Sequence, residues 1–359
     1  MININLIFGG GYTPHLQQLT TGLSLLHKAG IINCNVKPTT WKPILGLGLN
    51  PKSPIALLEI NDIRIIIDTL DGYNFNMQVN QDENLEILDK LAGNVDYYFK
   101  RSFSSGLNKV LINKDKIYPL GLNYDVTCNR NVIDNQLKIK GPGLISEYKR
   151  KIVRKLVPDI NSFECYPNLG NHNGSKIIFM TRLWPDNTTY ERFNIKNKKI
   201  NQTRVSTLRL CRERFGKQFI GGLYPDKMSL CFPDLVLPKS MTKRNNYLKL
   251  MHEADVCIAT TGLHNSIGWK LTEYIAASKC IVSEPLFYEV PGNFAKGINY
   301  MEASTPEEIV EAIETLLNDN TLRNTMKFNN YTYYNNYVRP DVYVLNVLKK
   351  ALCPIVFEC

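Results

Sequence analysis

Residues 255–273 of this 359-residue chain read DVCIATTGLHNSIGWKLTE, and they contain one complete unit of α/β structure. The apolar run from Val256 to Ala259 predicts a buried strand that ends near Thr260. A short polar loop containing a glycine follows. A helix is predicted from about Ile267, because Ile267, Leu271 and Ile275 recur at helical spacing. The segment therefore predicts a strand, a loop and a helix in direct succession.

The same alternation of short β-rich runs and helical stretches continues along the chain and is typical of parallel α/β architecture. Strands are predicted at 4–8, 55–60, 63–68, 95–99, 116–120, 176–180, 218–220, 256–259 and 280–283. Helices are predicted at 14–28, 144–156, 205–215, 246–253 and 269–277, and a further helix that runs to Leu317 is opened by the capping sequence Thr305-Pro306-Glu307-Glu308. The predicted fold class is α/β, with two Rossmann-like domains that face each other across a cleft.

The length suits two domains of about 150 residues each. A stretch rich in Asn, Pro and Gly, from about Cys128 to Gly174, separates two α/β series and has a basic helix in its middle. We expect an N-terminal Rossmann-like domain at 1–142, a linker with a peripheral helix at 143–173, a C-terminal Rossmann-like domain at 174–330, and a tail at 331–359 that packs back across the junction.

Charge and cysteine usage indicate the setting in which the protein acts. The formal net charge is +10, and basic residues cluster at 149–155 and again at 192–217. Such clusters are typical either of a solvated face or of attraction to a polyanion, meaning an anionic membrane surface, a phosphate-bearing acceptor or nucleic acid. The sequence has no apolar run long enough to span a bilayer, no secretory signal, and nine cysteines without C-x-x-C spacing. These features predict a cytoplasmic protein with structural thiols.

The loop after the strand at Val256 is a candidate anion site, because a helix N-terminus presents unpaired N–H groups and the positive end of the helix dipole. A nucleotide diphosphate would fit there. Lys270 would neutralise phosphate, and Glu273 on the same face would accept hydrogen bonds from ribose hydroxyls. The alternative is a surface Lys–Glu pair that contributes about 0.3 kcal/mol. The candidate nucleotide-binding residues of this segment are Thr261, Gly262, His264, Asn265, Ser266, Lys270 and Glu273.

The N-terminal half has candidates after its first predicted strand. Glycines at 9–11 permit close backbone approach to a ligand, so Gly10 and Gly11 are candidate nucleotide contacts. His15 lies just inside the following helix. It is a candidate general base or acceptor contact, and the alternative is a structural histidine.

Two carboxylates and two cations stand at the ends of later strands, where open α/β sheets bind their ligands. Asp71 or Asp68 is a candidate base for an acceptor hydroxyl, with turn formation and capping as the alternative. Lys100 and Arg101 suit an anionic ligand or acceptor. No D-x-D and no cluster with metal-ligand spacing occurs in the sequence. We therefore expect no metal site and a reaction in which Arg, Lys and helix N–H groups stabilise the leaving diphosphate.

The run from Gly268 to Pro285, GWKLTEYIAASKCIVSEP, resembles the donor-site helix and following strand of GT-B glycosyltransferases. Retaining bacterial members of families four and one carry a K-L-x-E-Y-x-A-x-G-K-P-V-V-like stretch there. The resemblance covers about residues 174–345. It implies a GT-B fold in which the C-terminal domain binds a nucleotide-sugar donor and the N-terminal domain binds the acceptor.

The resemblance also implies roles for single residues. Glu273 matches the second glutamate of an E-x7-E pattern, the one associated with ribose, whereas Asn265 stands at the position of the first. Arg182 matches an arginine that follows the first strand of the donor domain and reaches the diphosphate. The lysine usually found about five residues later is absent, since 185–187 read Pro-Asp-Asn. Lys270 is expected to supply the second positive charge and to act in catalysis with Asp71 and His15.

The function that the resemblance implies is transfer of a sugar from a nucleotide-sugar donor to a glycan or lipid-linked acceptor, in synthesis of a bacterial surface polysaccharide such as capsule or lipopolysaccharide. The nucleotide sugar is a substrate, and no cofactor is expected. Basic patches would hold the enzyme on the anionic inner leaflet of the membrane. The alternatives are a sugar-nucleotide epimerase of the same fold and a non-catalytic protein that binds a polyanion or nucleic acid. Because no stacking-aromatic motif or nucleic-acid module is recognisable, no nucleic-acid partner is expected.

Overall fold

The computed structural model describes residues 1–8, 13–37, 53–133, 157–170, 175–186, 188–189 and 191–353, with the Arg192 side chain left out. The predicted helix at 144–156, the first basic cluster, and the loop glycines Gly10 and Gly11 lie outside these residues. Within them the predicted fold class is confirmed: two α/β units, each built on one sheet, face a common cleft.

The first unit is a six-stranded sheet in the order β2-β1-β3-β4-β5-β6. Its strands are β1 (Ile2–Phe8), β2 (Ile32–Val36), β3 (Ile55–Ile60), β4 (Ile63–Asp68), β5 (Tyr97–Lys100) and β6 (Ile117–Pro119). Its helices are α1 (Gln17–Lys28, preceded by a 3₁₀ turn at Pro14–Leu16), α2 (Gln81–Gly93) and the short α3 (Ser105–Asn108).

The sheet of this unit is mixed rather than purely parallel. β3 runs antiparallel to both β1 and β4, while the other pairs are parallel. The reason is the two-residue turn Asn61-Asp62 between β3 and β4, in which Asn61 has φ 52°. A connection this short can close only an antiparallel hairpin, because a parallel crossover needs a dozen or more residues.

The second unit is a five-stranded, all-parallel sheet in the order β11-β10-β9-β7-β8. Its strands are β7 (Ile177–Thr181), β8 (Phe219–Leu223), β9 (Val256–Ala259), β10 (Cys280–Ser283) and β11 (Met301–Glu302). Its helices are α4 (Glu191–Phe215), α5 (Lys239–Thr242), α6 (Arg244–Glu253), α7 (Trp269–Ala276), α8 (Pro306–Asn318) and α9 (Asn320–Tyr333). The predicted cap of α8 is confirmed, since the Thr305 hydroxyl accepts the Glu308 amide N–H at 3.2 Å.

Helix α4 begins at Glu191 rather than near Val205. Its first half buries asparagines instead of apolar residues: Asn194, Asn197 and Asn201 recur along one face of the helix, and all three side chains are buried. Their amides bond the backbone of the loop that follows β7. Because these buried positions are polar, the first half of the helix has no apolar repeat. The sequence therefore predicts the helix only from Val205, where Val205 and Leu208 provide that repeat.

A π-helical turn at Tyr334–Val338 leads from α9 into the last helix, α10 (Pro340–Leu352). This helix packs against α1 of the first unit, and its buried residues Val344 and Val347 share that unit's core. The two helices meet at Gly22, where an added Cβ would lie 2.0 Å from the carbonyl oxygen of Pro340. The end of the chain thus completes the unit in which the chain began.

Candidate functional site

The cleft contains a cavity of about 580 Å³ at the carboxyl ends of the central strands of both sheets. This is the edge at which open α/β sheets bind their ligands, and the volume suits a small molecule. His15, Asp71 and Arg101 line it from the first unit. From the second unit the lining includes Thr181, Arg182, Trp184, Arg204, Tyr224, Thr242, Arg244, Thr260, Gly262, Leu263, Ser266, Gly268, Trp269, Lys270 and Glu273.

The loop between β9 and α7 has a tight conformation. The Gly262 N–H donates to the carbonyl of Ser266 at 2.8 Å, and His264 and Asn265 between them have φ of 58° and 59°. Two successive non-glycine residues in the left-handed region cost free energy that surrounding contacts must offset, and such strain is frequent at ligand sites. The loop ends at Gly268, so the first turn of α7 opens onto the cavity. The predicted placement of this segment at a cleft agrees with the structure.

Some atoms of this loop are already engaged by the protein. Both the amide N–H and the hydroxyl of Thr261 donate to the carboxylate of Glu284, at 2.7 and 2.9 Å. The carbonyl of His264 accepts the Tyr288 hydroxyl at 2.8 Å. Thr261 therefore holds the loop in place, and the start of α7 lines the cavity through Gly268, Trp269 and Lys270.

Arg204 fixes the base of the loop from α4. Its guanidinium donates to the Thr260 hydroxyl at 3.1 Å, to the Arg182 carbonyl at 2.6 Å and to the Thr261 carbonyl at 3.0 Å. Burial lowers its pKa to about 10, with Glu284 opposing the shift. In the sequence Arg204 belongs to the second basic cluster, for which a solvated face is one interpretation. In the structure its side chain is buried, holds the loop by hydrogen bonds and adds positive charge to the cavity wall.

The asparagines of α4 hold the loop after β7 in the same way. The Asn201 amide exchanges two hydrogen bonds of 2.8 Å with the backbone of Trp184, and Asn197 donates to the carbonyl of Pro185 at 2.6 Å. Arg182 stands at the start of this loop and lies over the ring of Tyr224, 5.2 Å from its centroid. Arg182 lines the cavity, and its contact with the diphosphate stays a prediction.

Lys270 is held between aromatic rings in the first turn of α7. Its ammonium lies 3.9 Å from the ring centroid of Tyr247 and 5.4 Å from that of Tyr224. Burial lowers the pKa of Lys270 to about 8, while Glu273 opposes the shift and Arg244 and Arg182 reinforce it. No hydrogen-bond or ion-pair partner of this ammonium is found among the described residues. The site therefore carries a desolvated cation that an anionic ligand would stabilise.

Glu273 lines the cavity and is held by two protein donors. One carboxylate oxygen accepts from Arg244 at 2.7 Å, the other accepts from the Tyr247 hydroxyl at 2.8 Å, and the residue is only 2% exposed. The alternative, a surface ion pair with Lys270, does not form, because Glu273 pairs with Arg244 instead. Glu273 raises the pKa of Arg244 against the effect of burial. Since each carboxylate oxygen can accept more than one hydrogen bond, the role of Glu273 toward ribose stays a prediction.

Lys100 is not an anion ligand, and Asp68 is not an available base; both predictions are wrong. Both side chains are fully buried, with the Lys100 ammonium 2.8 Å from the Asp68 carboxylate, which also accepts the Tyr98 hydroxyl at 2.7 Å. The Lys100 ammonium is further covered by the Tyr73 ring, at 4.7 Å from its centroid. Successive strand residues point to opposite faces, so Lys100 enters the core and Arg101 faces the cleft.

Arg101 and Asp71 form an ion pair at the cavity wall, with 2.5 Å between guanidinium nitrogen and carboxylate oxygen. A second Arg101 nitrogen donates to the carbonyl of Ile267 in the opposite unit. Burial alone would raise the pKa of Asp71, but the Arg101 cation, with smaller contributions from His15 and Ser266, lowers it. Asp71 is thus a weak base.

His15 faces the pair from the start of α1, with its ring edge-on to Trp269 at a centroid distance of 5.0 Å. Burial, and then the Arg101 cation, lower the pKa of His15, and Asp71 only partly opposes them. The imidazole is therefore neutral at neutral pH. Its Nδ1 is buried and has no hydrogen-bond partner within the described ranges. A neutral, unpaired imidazole beside the cavity is chemically suited to accept a proton.

Sequence reasoning missed several residues that shape the cavity. Arg244 and Tyr224 come from separate elements, and the aromatic residues Trp184 and Trp269 flank the opening. The basic run that contains Arg244 was a usable signal, but nothing local linked it to Glu273. In the second basic cluster Lys196, Lys198, Lys199 and Lys217 are exposed, and Arg209 and Arg214 are exposed but pair with Asp234 and Glu314.

The described residues bear on two wider expectations, a metal site and a membrane span. No group of three or more His, Cys, Asp or Glu side chains in these ranges is placed to hold a metal ion. No helix in the same ranges has the length and apolar character needed to cross a bilayer.

Comparisons with known proteins reveal similarity only to solved structures, since no family model and no curated protein matches. Anabaena Alr3699/HepE in complex with UDP-glucose is 12% identical over 99% of this chain and 100% of that one, with a TM-score of 0.41. The C-terminal domain of LpcC, a glycosyl transferase group 1 family protein from Francisella tularensis, is 13% identical over 50% and 96% of the two chains, with a TM-score of 0.34.

A UDP-GlcNAc 2-epimerase from Neisseria meningitidis, bound to UDP-GlcNAc, is 15% identical over 73% of this chain and 63% of that one, with a TM-score of 0.37. At these identities and scores the similarities assign no activity to the chain. The functional conclusion depends on the site itself.

Proposed function

We propose that this protein is a glycosyltransferase that takes a nucleotide sugar as donor, binds its diphosphate against the start of α7, and transfers the sugar to a hydroxyl of an acceptor on the opposite wall. The single observation that carries the proposal is the cavity's asymmetry. One wall presents the cations Lys270, Arg182 and Arg244 beside a helix N-terminus, and the other presents the neutral imidazole of His15.

The charges fit a diphosphate. Arg244 is neutralised by Glu273, and Arg101 by Asp71, so the lining cations without a carboxylate ion pair among the described residues are Lys270, Arg182 and Arg204. A sugar diphosphate carries two negative charges. Because the Arg204 guanidinium is buried and donates to the loop, Lys270 and Arg182 are the two cations that match this charge. They would stabilise the charge that develops on the leaving diphosphate as the bond to the anomeric carbon breaks. We infer that the reaction needs no metal ion for this purpose.

The acceptor's proton requires a base on the other wall. In the proposed reaction the acceptor oxygen bonds to the anomeric carbon and its proton passes to His15, while the diphosphate leaves with the electron pair of the broken bond. Asp71 is the second candidate, but its ion pair with Arg101 weakens it as a base. We propose His15 for the role.

The acceptor class follows from the resemblance to GT-B glycosyltransferases rather than from the cavity. We propose a glycan or a lipid-linked acceptor and a role in bacterial surface polysaccharide synthesis, such as capsule or lipopolysaccharide. Peripheral association with an anionic membrane surface is part of this proposal, and the four exposed lysines of α4 and its end are its support among the described residues.

The test is a panel of UDP-, GDP-, CMP- and dTDP-sugars, first for stabilisation in thermal melts and then for nucleotide release with and without acceptors. We expect one nucleotide series to raise the melting temperature and to turn over only when an acceptor is present. Activity that persists in EDTA is expected. Conversion of the nucleotide sugar without any acceptor would indicate an epimerase, and stabilisation by oligonucleotides alone would contradict the proposal.

A further inference from the structure

The loop that carries the proposed donor site is held from the opposite unit. Arg101, which follows β5 of the first unit, donates to the carbonyl of Ile267, one residue before Gly268 at the start of α7. The backbone of Gly72 lies against His264, since an added Cβ at Gly72 would be 2.8 Å from the Cβ of His264. The strained part of the loop and the start of the helix are therefore both contacted by the first unit.

Both terminal nitrogens of Arg101 are engaged by the protein. Its side chain is 5% exposed, with one terminal nitrogen 2.5 Å from Asp71 and the other on the Ile267 carbonyl. The first nitrogen also lies 3.5 Å from the Thr69 carbonyl, so a carboxylate and a carbonyl of its own unit hold the cation while it donates to the backbone of the other unit. This geometry suits a structural link between the two units better than a direct contact with phosphate.

We propose that Arg101 and Asp71 form an interdomain brace, and that they are positioning residues that fix the loop at 262–267 and the first turn of α7 for donor binding. The inference rests on the proposed nucleotide site. Asp71 orients the guanidinium group of Arg101, and this group holds the Ile267 carbonyl in place. Because His264 and Asn265 occupy the left-handed region, the loop keeps its shape only while such contacts restrain it. Losing the brace lets the loop relax and moves Gly268 and Lys270 away from the diphosphate position.

A brace and a direct ligand make opposite predictions for the same substitution. Asp71→Asn keeps the size of the side chain and removes its charge. If Arg101 bound phosphate itself, loss of the competing carboxylate would free the cation, and UDP would bind more tightly. If Arg101 acts through the loop, loss of the carboxylate leaves its guanidinium group poorly oriented, and UDP binds more weakly. We expect the dissociation constant for UDP to rise about five- to tenfold in Asp71→Asn and in Arg101→Lys, the range typical of misplaced binding groups.

Glu289→Gln is the matched control. Glu289 also joins the units, accepting the amide N–H and the hydroxyl of Ser105 at 2.8 and 2.6 Å, and within the described part of the chain it has no hydrogen bond to the loop at 262–267. We expect its UDP affinity to stay within about twofold of the unsubstituted protein, which separates loss of any interdomain contact from loss of the brace.

A measurement on the ligand-free protein tests the brace separately from the nucleotide site. Amide hydrogen exchange of peptides covering 262–271 in the ligand-free full chain reports the Gly262 and Ser266 amides, which are hydrogen-bonded within the loop. We expect these peptides to exchange at least about tenfold faster in Arg101→Lys than in Glu289→Gln or the unsubstituted protein.

Unchanged exchange in Arg101→Lys, or tighter UDP binding by Asp71→Asn, would overturn the brace. Failure of the unsubstituted protein to bind any nucleoside diphosphate would instead overturn the proposed function, and the exchange experiment would still decide whether the brace exists.

Discussion

Lys270 sets the expected pH dependence of donor binding. A bound diphosphate stabilises the protonated ammonium, so the complex forms with the proton present, and affinity falls once the free protein has lost that proton. With the Lys270 pKa lowered to about 8, about 90% of the side chain is protonated at pH 7 and about 10% at pH 9. The dissociation constant should therefore rise about tenfold between these values, or about 1.4 kcal/mol.

The neighbours of Lys270 do not titrate in this window. Arginine side chains stay charged, and the pKa values of Tyr224 and Tyr247 are raised by burial, so both rings remain neutral. In the ligand-free protein the pH has the opposite effect on stability. The unfolded lysine, with its ordinary pKa of 10.5, binds more protons than the folded one, so stability rises with pH between about 8 and 10.5.

The assay is calorimetric titration with the nucleotide sugar that the panel identifies, at pH 7, 8 and 9. A nucleotide sugar is preferable to a free nucleoside diphosphate because its esterified diphosphate has no proton to lose in this range. Lys270→Met is the control: its affinity should be weaker at pH 7 and nearly independent of pH. A flat profile for the unsubstituted protein, or an equal slope in Lys270→Met, would refute the assignment of Lys270 to the diphosphate.

Three further substitutions separate structural from functional roles. Lys100→Met leaves Asp68 buried without its cation and should lower the free energy of unfolding by about 3–5 kcal/mol, measured in urea, because a buried charge loses its partner; a loss of nucleotide affinity without loss of stability would restore Lys100 as a ligand. Asn201→Ala removes two hydrogen bonds to Trp184 and should cost about 2 kcal/mol in the same measurement, with weaker donor binding because the loop carrying Arg182 loosens; unchanged affinity would show that this loop does not position the donor site. His15→Asn should reduce turnover about 100-fold or more with donor affinity unchanged. Because the His15 pKa is lowered, the acid limb of the unsubstituted enzyme's rate profile should lie below pH 6.5, and a limb above that value would exclude His15 as the base.

The local rules were sufficient where local sequence determines structure. The apolar run at Val256 and the cap at Thr305 each depend on a few adjacent residues, and both predictions agree with the structure. The same holds for the cavity's position, because strand ends of α/β sheets share one edge.

What could not be predicted depends on register and distant partners. Lys100 and Arg101 are adjacent cations, and only the pleat of β5 decides which one enters the core, a one-residue distinction that composition does not encode. The burial of Asn201 on one face of α4 could not be predicted from the apolar pattern, because its side chain is buried through hydrogen bonds to the backbone of Trp184. Glu273 on α7 pairs with Arg244 on α6, so only the tertiary structure reveals this ion pair.

The packing of α10 on α1 has a consequence for biosynthesis. The first unit's apolar core includes Val344 and Val347, which leave the ribosome only after the whole second unit. Until then α1 exposes the surface around Gly22 that α10 covers. The first unit is therefore completed only after the second has been synthesised, and a nascent chain must keep this surface from aggregating in the meantime.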